Sequence, residues 1–286
     1  MGYYKESRKI NLVLTVVYAI PILACIAGMA YGYSYLTKVN PFIYINFLFT
    51  AGYVIITGAF VVFLKRLGKI RNFNILLFIT LLIAVFSAYA VWVSYIAVSF
   101  ESSIAFAMEN FQSSIKVLSN QSFSIGRAIR SSSIEFSGWG LYILWGVEVI
   151  LFIGGPFFMV FSMAKNNLVF CEDCNKWADK KVTFYKIPTN ALTKENLEET
   201  VLQNKLKDLL ALPDYTNNAK MYNELTIVAC ENCQSKHYLT VNQVVNSINE
   251  KGNKTKKEKL ILPFLEIDSF TTFSKEIFEN TNVQEV

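Results

Sequence analysis

The 286-residue chain is 53% hydrophobic and 15% aromatic against 17% charged, too apolar a balance for a water-soluble protein of this length. Its net charge of +5 is modest, and its single histidine leaves no Ser-His-Asp set. With no P-loop, no Gly-x-Gly-x-x-Gly run and no carboxylate cluster for phosphoryl or glycosyl chemistry, the chain reads as non-enzymatic.

Residues 10–37, 42–64 and 72–100 hold no Asp, Glu, Lys, Arg or His, and each run exceeds the roughly 20 residues that cross a bilayer as a helix. The first follows Lys5, Arg8 and Lys9 and contains Ile22-Leu23-Ala24-Cys25, which resembles a lipoprotein cleavage box. Its length and internal Pro21 instead predict a retained, kinked helix, with Cys25 as a small buried residue. Ala24, Gly28 and Gly32 recur at four-residue intervals on it, a pattern that lets a neighbouring helix approach closely. Pro41 suits the first turn of the second span.

Between the second and third spans lies the basic loop Lys65-Arg66-Leu67-Gly68-Lys69-Ile70-Arg71. The opposite side offers only Lys38 in one connection and Lys116, Arg127 and Arg130 in the other, so the positive-inside rule places both termini in the cytosol. Lys65, Arg66, Lys69 and Arg71 are candidates for binding anionic lipid headgroups, at about 1 kcal/mol each. The plainer reading makes them an orientation signal. The connection over residues 101–137 predicts a helix: Ile104, Met108, Phe111, Ile115 and Leu118 draw one apolar stripe, suited to packing on the bundle or on a second subunit. Its Ser-rich remainder through Ser131-Ser132-Ser133 reads as loop.

A fourth span runs from about Gly140 to Ala164, with Gly154-Gly155-Pro156 inside it and a single charge, Glu148. At 1.5 Å per residue Glu148 sits roughly 12 Å below the outer boundary. No span supplies a cation, so the carboxyl must be protonated, hydrogen-bonded to a hydroxyl, or reached by water. Tyr18, Tyr53, Tyr89, Tyr95 and Tyr142 are candidate partners. Glu148 is then either a proton or cation relay, as in a channel or transporter subunit, or a polar helix contact.

Past residue 165 charged residues become common and no apolar run reaches membrane length, which predicts one small cytosolic domain over residues 165–286. Two units repeat there: Phe170-Cys171-Glu172-Asp173-Cys174 and Ala229-Cys230-Glu231-Asn232-Cys233. Two thiolate pairs supply the tetrahedral all-cysteine shell of a structural zinc, and reduced cytosolic thiols favour metal over disulfide. Strands are expected at Lys181–Ile187, Leu225–Ala229 and His237–Val241 around these turns. On these motifs residues 168–245 resemble the zinc-ribbon class of domains, which implies one structural zinc on Cys171, Cys174, Cys230 and Cys233. The 55 residues between Cys174 and Cys230 exceed the roughly 15–20 of a compact ribbon. A helical insertion over about 194–212, with Leu197, Val201, Leu202, Leu206, Leu209 and Leu210 on one face, accounts for the excess. A thiol-disulfide enzyme and an iron-sulfur cluster are the competing uses of the four cysteines.

His237, the only histidine, could replace a thiolate, but as a residue starting a strand it is read as surface. Lys251, Lys254, Lys256, Lys257 and Lys259 lack interleaved aromatics and read as a solvated hairpin loop rather than a nucleic-acid site. Pro263 makes Lys259–Ile267 an edge or terminal strand, and Phe270, Phe273, Ile277 and Phe278 mark a last short helix. The expected whole is a four-helix membrane domain (residues 1–164) followed by a cytosolic α+β zinc-ribbon-like domain (165–286). Its expected setting is a bacterial inner membrane, where it acts as an adaptor or assembly factor. Its partners would be the bilayer, a cytosolic protein and a second copy of itself.

Overall fold

A computed structural model describes residues 2–5, 7–40, 43–120, 123–125, 134–136, 139–164, 169–178, 180–189, 194–202, 221–230, 237–248 and 254–267. The chain forms two compact units: Arg8–Asn166, and Met1–Ser7 together with Asn167–Val286. The first strand, β1 (Gly2–Tyr3), belongs to the second of these.

Four long helices of the first unit match the apolar runs: α1 (Leu12–Val39), α2 (Ile43–Leu67), α3 (Phe73–Ser99) and, later in the chain, α6 (Trp139–Ala164). Each is long and apolar enough to cross a membrane. Asn11 and Asn72 start α1 and α3 by accepting from backbone N–H groups of the first turn, at 3.1 Å from Leu14 and at 3.0 and 3.2 Å from Asn74 and Ile75. α1 and α6 each pack on both α2 and α3. The buried face of α1 carries Ile22, Ile26, Ala30 and Tyr33, a stripe at intervals of four, four and three. Ala24, Cys25, Gly28 and Gly32 fall on a different face and are exposed, so neither the small-residue stripe nor Cys25 is packed as its sequence suggests. A methyl added at Gly28 or Gly32 would meet nothing within 4 Å. Close approach occurs between α2 and α6 instead, where Gly155 faces Val54 and Gly58 faces Met159.

α2 ends in a Schellman turn: Ile70 N–H donates to Lys65 O at 3.0 Å, and Lys69 N–H to Arg66 O at 3.4 Å. Lys69 therefore holds φ +50°, a position glycine usually occupies. Arg71 N–H reaches Lys9 O at 3.1 Å and Thr15 Oγ1 reaches Gly68 O at 3.3 Å, which ties the basic stretch before α1 to the basic loop after α2.

Among the described residues, the connection between α3 and α6 holds two helices where the sequence predicts one: α4 (Ile104–Glu109) and α5 (Phe111–Ser119). Asn110 leaves helical geometry between them at φ −105°, ψ +24°, which rotates the second half of the apolar stripe relative to the first. Phe111, Ile115 and Leu118 pack with Val93, Ile96 and Trp145, while Ile104 and Met108 stay exposed. Two short strands, β2 (Phe123–Ile125) and β3 (Ile134–Phe136), pair antiparallel; Ser131–Ser133 lie outside the described residues.

The second unit is antiparallel throughout. β4 (Val169–Cys171) and β5 (Lys176–Ala178) form a hairpin. β6 (Lys180–Pro188), β7 (Met221–Ala229), β8 (His237–Ile248) and β9 (Lys254–Ile267) form a meander, with α7 (Lys194–Leu202) between β6 and β7. The sheet order is β1-β9-β8-β7-β6. α7 covers the start of the expected helical insertion; Leu206, Leu209 and Leu210 lie outside the described residues, as does the expected helix from Phe270 to Phe278.

β9 ends the meander, and only its C-terminal end is covered, where β1 pairs with it at Gly2↔Glu266 and Tyr3↔Leu265 and Tyr4 N–H donates to Phe264 O at 2.9 Å. Pro263 is accommodated by a bulge: Leu239 faces Leu265 and Val241 faces Leu262, so the proline's missing donor falls where the ladder skips. The lysines 254–259 are strand rather than the expected loop, with Lys254 opposite Ile248 and Lys257 opposite Val245. Lys256, Lys257 and Lys259 are exposed there, and Lys256 Nζ bridges Glu258 at 2.9 Å and Glu224 at 3.2 Å.

Candidate metal centre

Cys171 closes β4, and Glu172–Asn175 turn the chain so that Lys176 pairs back with Cys171. The turn closes because Asn175 adopts φ +52°, a left-handed conformation that asparagine tolerates, with its N–H donating to Glu172 O at 3.3 Å. The Cys-x-x-Cys turn is thus a hairpin tip, and Phe170 edge-on to Trp177 at 5.0 Å anchors its base. Cys230 directly follows the last pair of the β7/β8 ladder, Ala229↔His237. The Sγ atoms of Cys171, Cys174 and Cys230 all lie within 4.8 Å of one another. Cys171 and Cys230 are buried, Cys174 is partly so, and all three are reduced thiols. Cys233, the expected fourth ligand, lies outside the described residues.

The donor set fits a soft metal ion. A tetrahedral zinc with Zn–S bonds of about 2.3 Å separates its sulfurs by roughly 3.8 Å, inside the observed limit. Three like, ionisable thiols brought together in a buried corner repel once deprotonated, and a bound cation removes that penalty.

Side chains that the sequence did not flag surround the cluster. Tyr4, from the far end of the chain, accepts the Phe170 N–H at 3.1 Å on its hydroxyl and stacks edge-on against Tyr238 at 5.4 Å. Tyr4 and Tyr238 close one apolar cluster with Val169, Ala178, Val228 and Phe264. Burial, followed by the charges of Glu266, Tyr4, Cys171 and Asp173, pushes the Tyr238 phenol far up from its usual value. His237, read from sequence as surface, is only 4% exposed, because β7 and β9 flank its strand on both sides. Desolvation lowers its pKa, so the ring is favoured as the neutral imidazole. Farther along β1, Tyr3 donates to the Glu198 carboxylate, and burial and that contact push its phenol up to about 12. The signal for Tyr4 was faint: Gly2-Tyr3-Tyr4 precedes a basic residue and offers only β-favouring aromatics.

The remaining sequence candidates lie in the helical unit. Lys65 and Arg71 are buried, at 5% and 8% exposure, while Arg66 is exposed and Lys69 partly so. Glu148 Oε1 lies 2.9 Å from Tyr33 Oη, within hydrogen-bond distance, and Tyr33 Oη is 2.9 Å from Thr50 Oγ1. Tyr33 was absent from the expected partners. Of those that were named, Tyr53 stacks on Tyr33 at 5.5 Å, Tyr89 packs on Phe111 and Tyr142 bonds Ser119. Depth would have found Tyr33: it lies six residues from the end of α1, Thr50 seven from the start of α2, and Glu148 nine from the start of α6, all roughly 9–14 Å from the same helix ends.

Comparison of the chain with family models, with curated proteins and with solved structures finds no match.

Proposed function

We propose that this is a non-enzymatic integral membrane protein whose four helices anchor a cytosolic sheet unit, stabilised by one structural zinc and serving as a binding surface for another protein, as an adaptor or assembly factor. The observation that carries this reading is the convergence of Cys171, Cys174 and Cys230 within 4.8 Å from two chain segments more than 50 residues apart. Cys233 would complete the shell, since it repeats the spacing of Cys174 after Cys171. Four thiolates leave zinc no open position, which suits a staple and not a catalyst. Zinc is favoured over an iron-sulfur cluster by the paired hairpin tips and over a redox dithiol by the burial of two thiols.

Two observations support the orientation. β1 lies in the same sheet as β9, which agrees with the N-terminus and the sheet unit sharing one side of the membrane, as an even number of spans allows. The charge of Lys5, Arg8, Lys9 and the loop from Lys65 to Arg71 favours the cytosolic side for both.

The test is elemental analysis of the full chain, purified in detergent without added metal. About one zinc per chain is expected. Its removal by chelator should cost on the order of 10 kcal/mol of binding-linked stability in the sheet unit. Cys171→Ser should lose metal and sheet structure together. A metal-free, folded chain with a reversible Cys171–Cys174 disulfide would replace this reading with a redox protein, and bound iron with acid-labile sulfide would replace it with a cluster.

A further inference from the structure

Glu148 is the only Asp, Glu, Lys, Arg or His in the interiors of the four apolar runs. It ends a chain of polar contacts that draws on three helices. Its Oε1 lies 2.9 Å from Tyr33 Oη on α1, which lies 2.9 Å from Thr50 Oγ1 on α2, which lies 2.9 Å from the backbone carbonyl oxygen of Asn46. In the last contact the carbonyl can only accept, so that contact is filled only when Thr50 turns its hydroxyl hydrogen to Asn46. If Glu148 is ionised, Tyr33 must give its own hydrogen to the carboxylate. Two hydroxyl hydrogens then serve three contacts, and one contact, Tyr33 to Thr50 or Thr50 to Asn46, is left without a hydrogen. If Glu148 carries a proton, all three contacts are filled head to tail. Glu148 O–H donates to Tyr33, Tyr33 donates to Thr50 and Thr50 donates to Asn46.

We propose that Glu148, Tyr33 and Thr50 form a proton-binding site within the helical unit, in which Glu148 stands as a carboxylic acid at neutral pH and gives up its proton only when the contacts between α1, α2 and α6 rearrange. The step balances as the loss of one proton from the carboxyl oxygen to water, with the Tyr33 hydroxyl turning from Thr50 to the carboxylate. The titratable groups facing Glu148 are Tyr33 of α1, with Tyr53 of α2 behind it, and Tyr95 of α3. None of these is a cation that would hold the carboxylate ionised. Nearby, Asn40 Nδ2 donates to Asn46 Oδ1 at 2.8 Å, and the fully buried Phe152 packs edge-on to Tyr33 and Tyr53.

The test is infrared spectroscopy of the full chain in lipid vesicles at neutral pH, where carboxyl groups in water are ionised. The expected result is a carbonyl band of a protonated carboxylic acid that is lost in Glu148→Gln and shifted in Tyr33→Phe. The second variant keeps the ring packed on Phe152 and removes one hydroxyl, so it carries the assignment if Glu148→Gln does not fold. Absence of the band in the wild type overturns the proposal, as does a band that neither variant alters. Loss of the band when sodium replaces a bulky organic cation at constant pH also overturns it, in favour of a metal-cation site. None of these readouts depends on the cysteines, so this site and the zinc reading stand or fall separately.

Discussion

Replacing Gly155 by alanine tests how tightly α2 and α6 are packed. The added methyl would overlap Val54 Cγ1 and stand 3.3 Å from Val54 Cβ. Carbon atoms in contact prefer about 3.5–4.0 Å, so the substitution cannot be absorbed in place. Rotating Val54 removes the first clash but not the second, which requires the two helix backbones to part by a few tenths of an ångström. Overpacking of this kind costs about 1–3 kcal/mol. Alanine returns about 1 kcal/mol through its better helix propensity, leaving a net loss of about 0–2 kcal/mol. The sign should reverse once Val54 is shortened. In a Val54→Ala background the new methyl enters vacated space, and Gly155→Ala should be neutral or stabilising by up to about 1 kcal/mol, a coupling of about 1–3 kcal/mol between the two sites. Unfolding of the four variants in detergent, followed by helical circular dichroism, measures the cycle. Equal effects of Gly155→Ala in both backgrounds, to within about 0.5 kcal/mol, would refute the close packing of these helices.

Other outcomes follow from the same contacts. Tyr4→Phe removes the acceptor of the Phe170 N–H and should cost about 1–3 kcal/mol, read as faster hydrogen exchange at that amide; unchanged exchange would show that Tyr4 does not hold the hairpin. Lys69→Gly should stabilise the helical unit by about 0.5–1 kcal/mol in a thermal melt, since glycine takes φ +50° without the strain lysine bears there, less its larger unfolded entropy. Deleting residues 2–5 should uncover the C-terminal end of β9 and lower the melting temperature of the sheet unit; an unchanged melt would make β1 dispensable. Phe152→Ala should cost about 3–5 kcal/mol, because it empties the space between Tyr33 and Tyr53.

Several elements were legible before any coordinates. Three of the four long helices appear as runs without charge and the fourth as a run with a single charge, Glu148, because the bilayer interior penalises charge so steeply that composition alone marks candidate spans. The two Cys-x-x-Cys units were equally plain, since ligand spacing within a turn is a local property. Local periodicity failed where a single residue redirects the chain: Asn110 split the predicted outer helix, and the Ala24, Gly28, Gly32 pattern had no way to say which face of α1 meets a neighbour.

By itself, then, the amino-acid sequence determined which four helices are long and apolar enough to cross a membrane and which cysteines could hold a metal ion. Each follows from composition or from spacings of a few residues. Only the tertiary structure decided that Tyr4 closes the cysteine hairpin, that β1 covers the C-terminal end of β9, that His237 is buried, and that Glu148 meets Tyr33 and Thr50. These pairings join residues 17 to 264 positions apart. Which of them form is settled by which surfaces pack and which donors remain unfilled, and neither is written in any local stretch of the chain.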